Sequence, residues 1–344
     1  MNHYNNYNKV IEMKYNKIQK IGLMLVSIAC GLSSSFTSAN EYNLDLAGAS
    51  PGGLWAMIGA GVNQAVKAEN PKSTITYQTS GGGLANIGLL ERDGASMAII
   101  HDAELLIAKN GSAPFTAPIT DLRVLAYLYT WAPMQPVISK SFAEKWKISS
   151  FEDIAKVKAP ITIAINKRGN VTSQVAEKML EAIGASIDNI ESWGGRVIYA
   201  ASGEQTTLMK DRRVDMFMNG VFVGHRGIMQ VASSIDVSLL PLSEKTIKTV
   251  SEQTGSEPFV IPGDSYKWAP NDIPGVALGA ALVVRQDMDS EVAYNLTKAL
   301  FKNYKKIAGV HRAMNALTPE IMASMKVVPY HKGARRYLKE VGKL

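Results

Sequence analysis

The chain has 344 residues, 46% of them hydrophobic and 19% charged, with a net charge of +7. That balance excludes a disordered chain and is enough for two cores. A single cysteine, Cys30, excludes an internal disulfide, and five scattered histidines offer no metal-ligand spacing. Residues 1–39 hold four lysines and one glutamate, which leaves +4 for the remainder. That mild excess suits a small anionic ligand, and no basic run with interleaved aromatics points to nucleic acid.

Residues 1–39 read as an export signal. Lys14, Lys17 and Lys20 make a positive start, and residues 21–32 form a twelve-residue apolar stretch, too short to span a bilayer. Thr37 and Ala39 occupy the −3 and −1 positions of a cleavage site. Met13 offers an alternative start that gives the leader ordinary length. A lipoprotein alternative would use Cys30, but Ser27-Ile28-Ala29 lacks the usual leucine. No later apolar run reaches 18 residues, so the mature chain is expected to be exported and soluble.

Downstream, strands are predicted at 42–47, 74–79, 97–100, 122–128, 161–165, 196–200, 216–218, 237–240 and 280–284. Helical faces lie between them: Leu54, Ile58, Val62, Ala65 and Val66; then Val175, Met179, Leu180 and Ile183; then Val292, Leu296, Ala299, Leu300 and Ile307 on one long helix. Strands alternating with helices indicate an α/β fold with parallel sheets covered on both faces. Residues 127–136, with Tyr129, Trp131, Pro133 and Pro136, and residues 262–279, rich in Pro, Gly, Asn and Asp, read as two crossings between lobes. Lobe I is expected at 40–129 and 277–344 and lobe II at 130–276, with a ligand cleft between them.

Four strand-to-helix loops are alike in composition. They are Gly48-Ala49-Ser50-Pro51-Gly52-Gly53, Ser80-Gly81-Gly82-Gly83, Asn166 to Ser173, and Ala201-Ser202-Gly203-Glu204. Each puts glycine and a hydroxyl or amide residue at a helix start, where free N–H groups suit a carboxylate or phosphate. The same residues are also ordinary helix caps; four such loops at strand ends shift the reading toward a cleft. Gly48-Ala49-Ser50-Pro51-Gly52 also matches G-x-S-x-G, so a serine hydrolase using Ser50 is an alternative. Pro51 opposes it, because the residue after the nucleophile must donate a backbone N–H and proline has none. Trp55 stands beside the first turn and fits a cleft wall or core packing equally. Tyr129 and Trp131 are assigned to packing at the first crossing, Asp102 to a helix cap and His225 to a structural role.

Taken in order, these pieces resemble the TAXI-type solute receptors of tripartite (TRAP) transporters. The resemblance rests on the Gly48–Gly53 turn with Trp55, on residues 79–86 (TSGGGLAN), the strand at 95–102, and residues 210–217 (KDRRVDMF). It continues through Ile261-Pro262-Gly263, residues 271–274, and Tyr330-His331-Lys332-Gly333-Ala334 to Gly342. It implies a periplasmic, two-lobed binding protein fold of type II-like form that closes on a dicarboxylate or an acidic amino acid, glutamate-like or 2-oxoglutarate-like. It implies TRAP membrane subunits as partners, a monomeric receptor, no enzyme activity and no cofactor. A receptor of the same fold that reports to a sensor is the alternative. The candidate ligand contacts are Ser50, Gly52, Gly53, Trp55, Ser80, Gly81, Gly82, Arg168, Asn170, Val171, Thr172 and Asn219. The third loop departs from the family's Pro-Gly-Ser-Gly-Thr, having Arg168-Gly169-Asn170-Val171-Thr172, and Arg226 stands where proline is frequent. An added arginine at the cleft favours a second carboxylate.

N-terminal sequencing of the exported protein should begin at Asn40; a chain beginning at acylated Cys30 would identify a lipoprotein instead.

Overall fold

The computed structural model describes residues 41–344, so the leader, its cleavage after Ala39 and Cys30 lie outside the described residues. Ten strands are described: β1 (Asn43–Ala47), β2 (Thr74–Gln78), β3 (Met97–His101), β4 (Leu122–Ser139), β5 (Thr162–Ile165), β6 (Arg196–Tyr199), β7 (Met216–Gly220), β8 (Val237–Leu239), β9 (Glu257–Ile261) and β10 (Ile273–Arg285). They are ordered β2-β1-β3-β10-β4-β7-β5-β6, with β8 beside β4 and β9 beside β10. All nine expected strands are present. The sheet is mixed, however, where parallel pairing was expected. β1 runs parallel to β2 and β3, and β5 to β6 and β7. β10 is antiparallel to β3, β4 and β9, and β4 to β7 and β8.

The largest departures from the sequence reading are β4 and β10. Residues 127–136 are not an interruption but the middle of an 18-residue strand. Pro133 and Pro136 lack an N–H, yet their carbonyls accept from Val221 and Leu240, both at 3.1 Å. A proline is tolerated in a strand where only its acceptor is needed. Likewise, the last part of the supposed second crossing, residues 273–279, belongs to β10, which starts at Ile273 and pairs with the unexpected β9. The long C-terminal helix is two helices, Ser290–Lys302 and Tyr304–Ala308. Asn303 separates them, its side-chain amide donating to the Ala299 carbonyl at 3.0 Å.

Helices cover the sheet through the faces their periodicity demands. The Leu54–Glu69 helix buries Trp55, Ile58, Val62, Ala65 and Val66, and the Val171–Ala182 helix buries Val175, Ala176, Met179 and Leu180. Among the described residues, no helix is long and apolar enough to cross a membrane.

Where the central strands meet, β4 carries an irregularity: Leu278 faces Ala132 and Ala280 faces Tyr129, so Thr130 and Trp131 together stand opposite Gly279. The Gly279 N–H donates to Asp102 Oδ2 at 2.6 Å, and the Tyr127 hydroxyl donates to the same oxygen at 2.6 Å. The Ala103 N–H donates to Asp102 Oδ1 at 2.8 Å. Asp102 is fully buried, and burial pushes its carboxyl up to about 7 against these donors. Expected as a cap, Asp102 instead joins β3, β4 and β10. Gly279 must lack a side chain, since a Cβ there would lie 2.0 Å from the Tyr127 oxygen.

Tyr127→Phe should therefore cost about 1–3 kcal/mol, the effect of a lost donor on a buried carboxyl. Gly279→Ala should cost a similar about 1–3 kcal/mol through overpacking. Urea unfolding measures both, and a loss below about 0.5 kcal/mol in each would remove Asp102 from the centre of this description.

Candidate functional site

A cavity of about 500 Å³ lies at the C-terminal ends of β1, β2, β3, β5 and β7. Its first wall is the β1 loop, with Ala49, Ser50, Gly53, Leu54 and Trp55. Tyr77 fixes that loop: its hydroxyl accepts from the Ala49 N–H at 2.6 Å and donates to the Ala49 carbonyl at 3.1 Å. The second wall is Ser80, Gly81, Gly82, Gly83 and Leu84. Gly82 has a φ of +104°, a conformation that favours glycine. Buried Asn86 clamps the two loops together, its Nδ2 donating to the Gly48 carbonyl at 2.7 Å and the Ile99 carbonyl at 2.8 Å.

Across the cavity stand Gly169, Asn170 and Val171, together with Gly220, Val221, Phe222 and His225. Asn170 caps the Val171–Ala182 helix: its Oδ1 accepts from the Thr172 N–H at 2.9 Å and the Thr172 hydroxyl at 2.7 Å. Phe222 meets Tyr129 edge-on, with centroids 5.2 Å apart.

Trp55, Tyr129, His101 and Glu104 form a connected polar chain in the wall. Trp55 Nε1 donates to the Tyr129 hydroxyl at 3.0 Å. His101 Nε2 lies 3.5 Å from that hydroxyl, and His101 Nδ1 lies 3.0 Å from Glu104 Oε2. The His101 N–H also donates to Glu104 Oε2 at 3.0 Å. Glu104 is only 5% exposed and packs against Gly83, where a Cβ would collide with its carboxylate. Its carboxylate therefore stands at the start of the Gly83–Glu91 helix, an end with free N–H groups. Burial opposes the His101 proton, but Glu104 and Asp102 outweigh it and raise the imidazole above its ordinary value. Burial lowers His225.

Of the candidate contacts, this wall contains Ser50, Gly53, Trp55, Ser80, Gly81, Gly82, Asn170 and Val171. It does not contain Gly52, Arg168, Thr172 or Asn219. Arg168 is drawn aside by an aromatic face, its guanidinium carbon 3.8 Å from the Tyr199 ring centroid. The Thr172 N–H and hydroxyl are both spent on Asn170. Asn219 is buried on β7 and accepts from Asn166 Nδ2 at 3.2 Å.

His101, Glu104, Phe222 and His225 were missed as wall residues, and Tyr129 was placed near the cleft but not among the ligand contacts. His101 to Glu104 carries a legible signal, an acid three residues into a helix that bonds back to its cap. Tyr129 carries none, because its direction depends on β4 passing through the supposed crossing.

Residues 46–342 match the NMT1-like family. Among solved structures, a TctC solute-binding protein from Polaromonas is similar over 90% of this chain and 100% of its own, with 13% identity and a TM-score of 0.53. MatC from Rhodopseudomonas palustris, solved with bound malate, is similar over 88% of this chain and 97% of its own, with 10% identity and a TM-score of 0.48. No curated protein sequence matches. The architecture is the α/β periplasmic binding protein fold.

Glu104→Gln should lower the pKa of His101, because burial stays while the principal opposing charge goes. Titration of the His101 ring by NMR reads this directly; an unchanged value would break the pairing described here.

Proposed function

The chain belongs to the NMT1-like family, and from that premise we propose that it is an extracytoplasmic receptor for a small organic anion. The observation that carries this reading is the cavity itself. Loops from the ends of five strands converge on it, and each leads into a helix, those at Leu54, Gly83 and Val171 among them. Such convergence at strand ends is where open α/β sheets take ligands. Backbone N–H groups and the imidazole of His225 supply donors, and Trp55, Tyr129 and Phe222 supply apolar and aromatic surface. The wall is built for holding a molecule by many modest contacts.

The favoured ligand is a dicarboxylate or an acidic amino acid, and the favoured setting is the periplasm, delivering to the membrane subunits of a TRAP-type transporter as in TAXI receptors. Residues 40–129 with 277–344 would make one lobe and 130–276 the other, closing over the cavity along the paths of β4 and β10. Catalysis is not part of the reading. Pro51 withholds the donor that a Ser50 nucleophile would need, and His101 is engaged by Glu104 and Tyr129.

Purified protein, denatured and analysed by mass spectrometry, should release a carboxylate-bearing small molecule. Returned at about 100 times its dissociation constant, that molecule should stabilise the fold by about 2.7 kcal/mol and be recovered unchanged. Release of a neutral or purely cationic compound, or turnover at catalytic rates, would overturn the proposal.

A further inference from the structure

The inner cavity has an electrostatic peculiarity for an anion receptor. Among the described residues, its ionisable wall residues are His101, Glu104, Tyr129 and His225, and lysine and arginine are absent from it. The Glu104 carboxylate already stands at the start of the Gly83–Glu91 helix, where an anionic group was expected. Strong cationic donors for the ligand must come from elsewhere.

A second cavity, of about 600 Å³, adjoins the first, and Phe222 and His225 line both. Its wall also holds Arg226, Ser265, His311 and Arg312 and, among the described residues, no carboxylate side chain. The two arginines arrive from separate parts of the chain, the loop after β7 and the turn before residue 314. Among the described residues, neither makes an ion pair or a side-chain hydrogen bond. Each directly follows a histidine in the same arrangement. His225 Nδ1 accepts from the Gly227 N–H at 3.2 Å, and His311 Nδ1 accepts from the Ala313 N–H at 3.1 Å. An accepting Nδ1 places the ring proton on Nε2, so each neutral histidine keeps a donor free on its far side.

These segments are anchored from beneath. The Gly224 N–H donates to the Tyr266 hydroxyl at 3.0 Å, and that hydroxyl donates to buried Gln135 at 2.7 Å. Trp131 Nε1 donates to the Ala313 carbonyl at 2.7 Å, tying the His311 turn to β4. Arginine and histidine donors are thereby presented on fixed backbone beside the inner cavity. Guanidinium forks suit the paired oxygens of a carboxylate.

We propose that this outer cavity is a second anion subsite, which takes a further carboxylate of the same ligand whose body fills the inner cavity. The inference rests on the receptor reading and deepens it: the ligand carries at least two anionic groups, and Arg226 and Arg312, rather than Arg168, read the second.

The test is calorimetric titration with succinate and with its monoamide, succinamate, which has similar size and one charge fewer. Wild type should prefer succinate, and Arg226→Ala/Arg312→Ala should weaken succinate about tenfold while leaving succinamate nearly unchanged. Both arginines are exposed, so the melting temperature should hold. An unchanged succinate affinity in the double variant would overturn the subsite. Equal losses for both probes would also overturn it, showing general attraction of anions instead. If wild type binds neither probe but releases another class of compound on denaturation, the receptor reading for dicarboxylates falls, and the subsite with it.

Discussion

One buried carboxyl organises the centre of this molecule. Asp102 follows β3 and opens the next helix, and three donors close on it: the Tyr127 hydroxyl from β4, the Gly279 N–H from β10, and the Ala103 N–H from its own helix. A strand irregularity leaves an N–H outside the ladder, and a buried donor without a partner is costly. Asp102 supplies the partner. Because β4 carries an extra residue opposite Gly279 and another between Tyr129 and Tyr127, this stretch of β4 is re-aimed. Tyr129, two residues beyond Tyr127, then directs its hydroxyl to Trp55 and His101 in the cavity wall. The sheet's central defect and the wall of the site are thus one feature.

The same region sets the charge pattern. His101 and Asp102 are consecutive, and Glu104 follows one turn on, so the end of β3 and the helix after it deliver an imidazole and two acids to one corner. Asp102 turns inward and serves the sheet, while His101 and Glu104 turn to the cavity. Gly83 has no side chain, and that space admits the Glu104 carboxylate. A wall with an internal carboxylate at one helix start gives an anionic ligand a reason to extend away from that corner. The cationic residues beyond Phe222 and His225 lie in the adjoining space.

Much of the site was legible in the residues. Gly48–Gly53, Ser80–Gly83 and Gly169–Val171 read as strand-to-helix loops, because glycine and small polar residues punctuate an alternation of strand and helix patterns. All three line the cavity, whereas the fourth loop of the same composition, Ala201-Ser202-Gly203-Glu204, does not. The roles of individual residues were harder to read, since a loop's composition does not say which side chains are used internally. Thr172 is consumed by Asn170 and Arg168 by Tyr199; neither partner choice can be seen along the chain.

By itself, the sequence determined the α/β class, nine of the described strands, and three of the loops that line the cavity, because periodicity and turn chemistry are local properties. Tertiary structure decided the rest. Pro133 and Pro136 signal a break locally, but β7 and β8 ask only for their carbonyls, so β4 runs on through them. Asp102 has the look of a cap, yet its partners lie on β4 and β10, far along the chain. Arg226 and Arg312 face one cavity only because two distant turns are pinned by Tyr266 and Trp131. Such contacts depend on which strands lie side by side, and strand order is fixed by packing rather than by any local stretch of sequence.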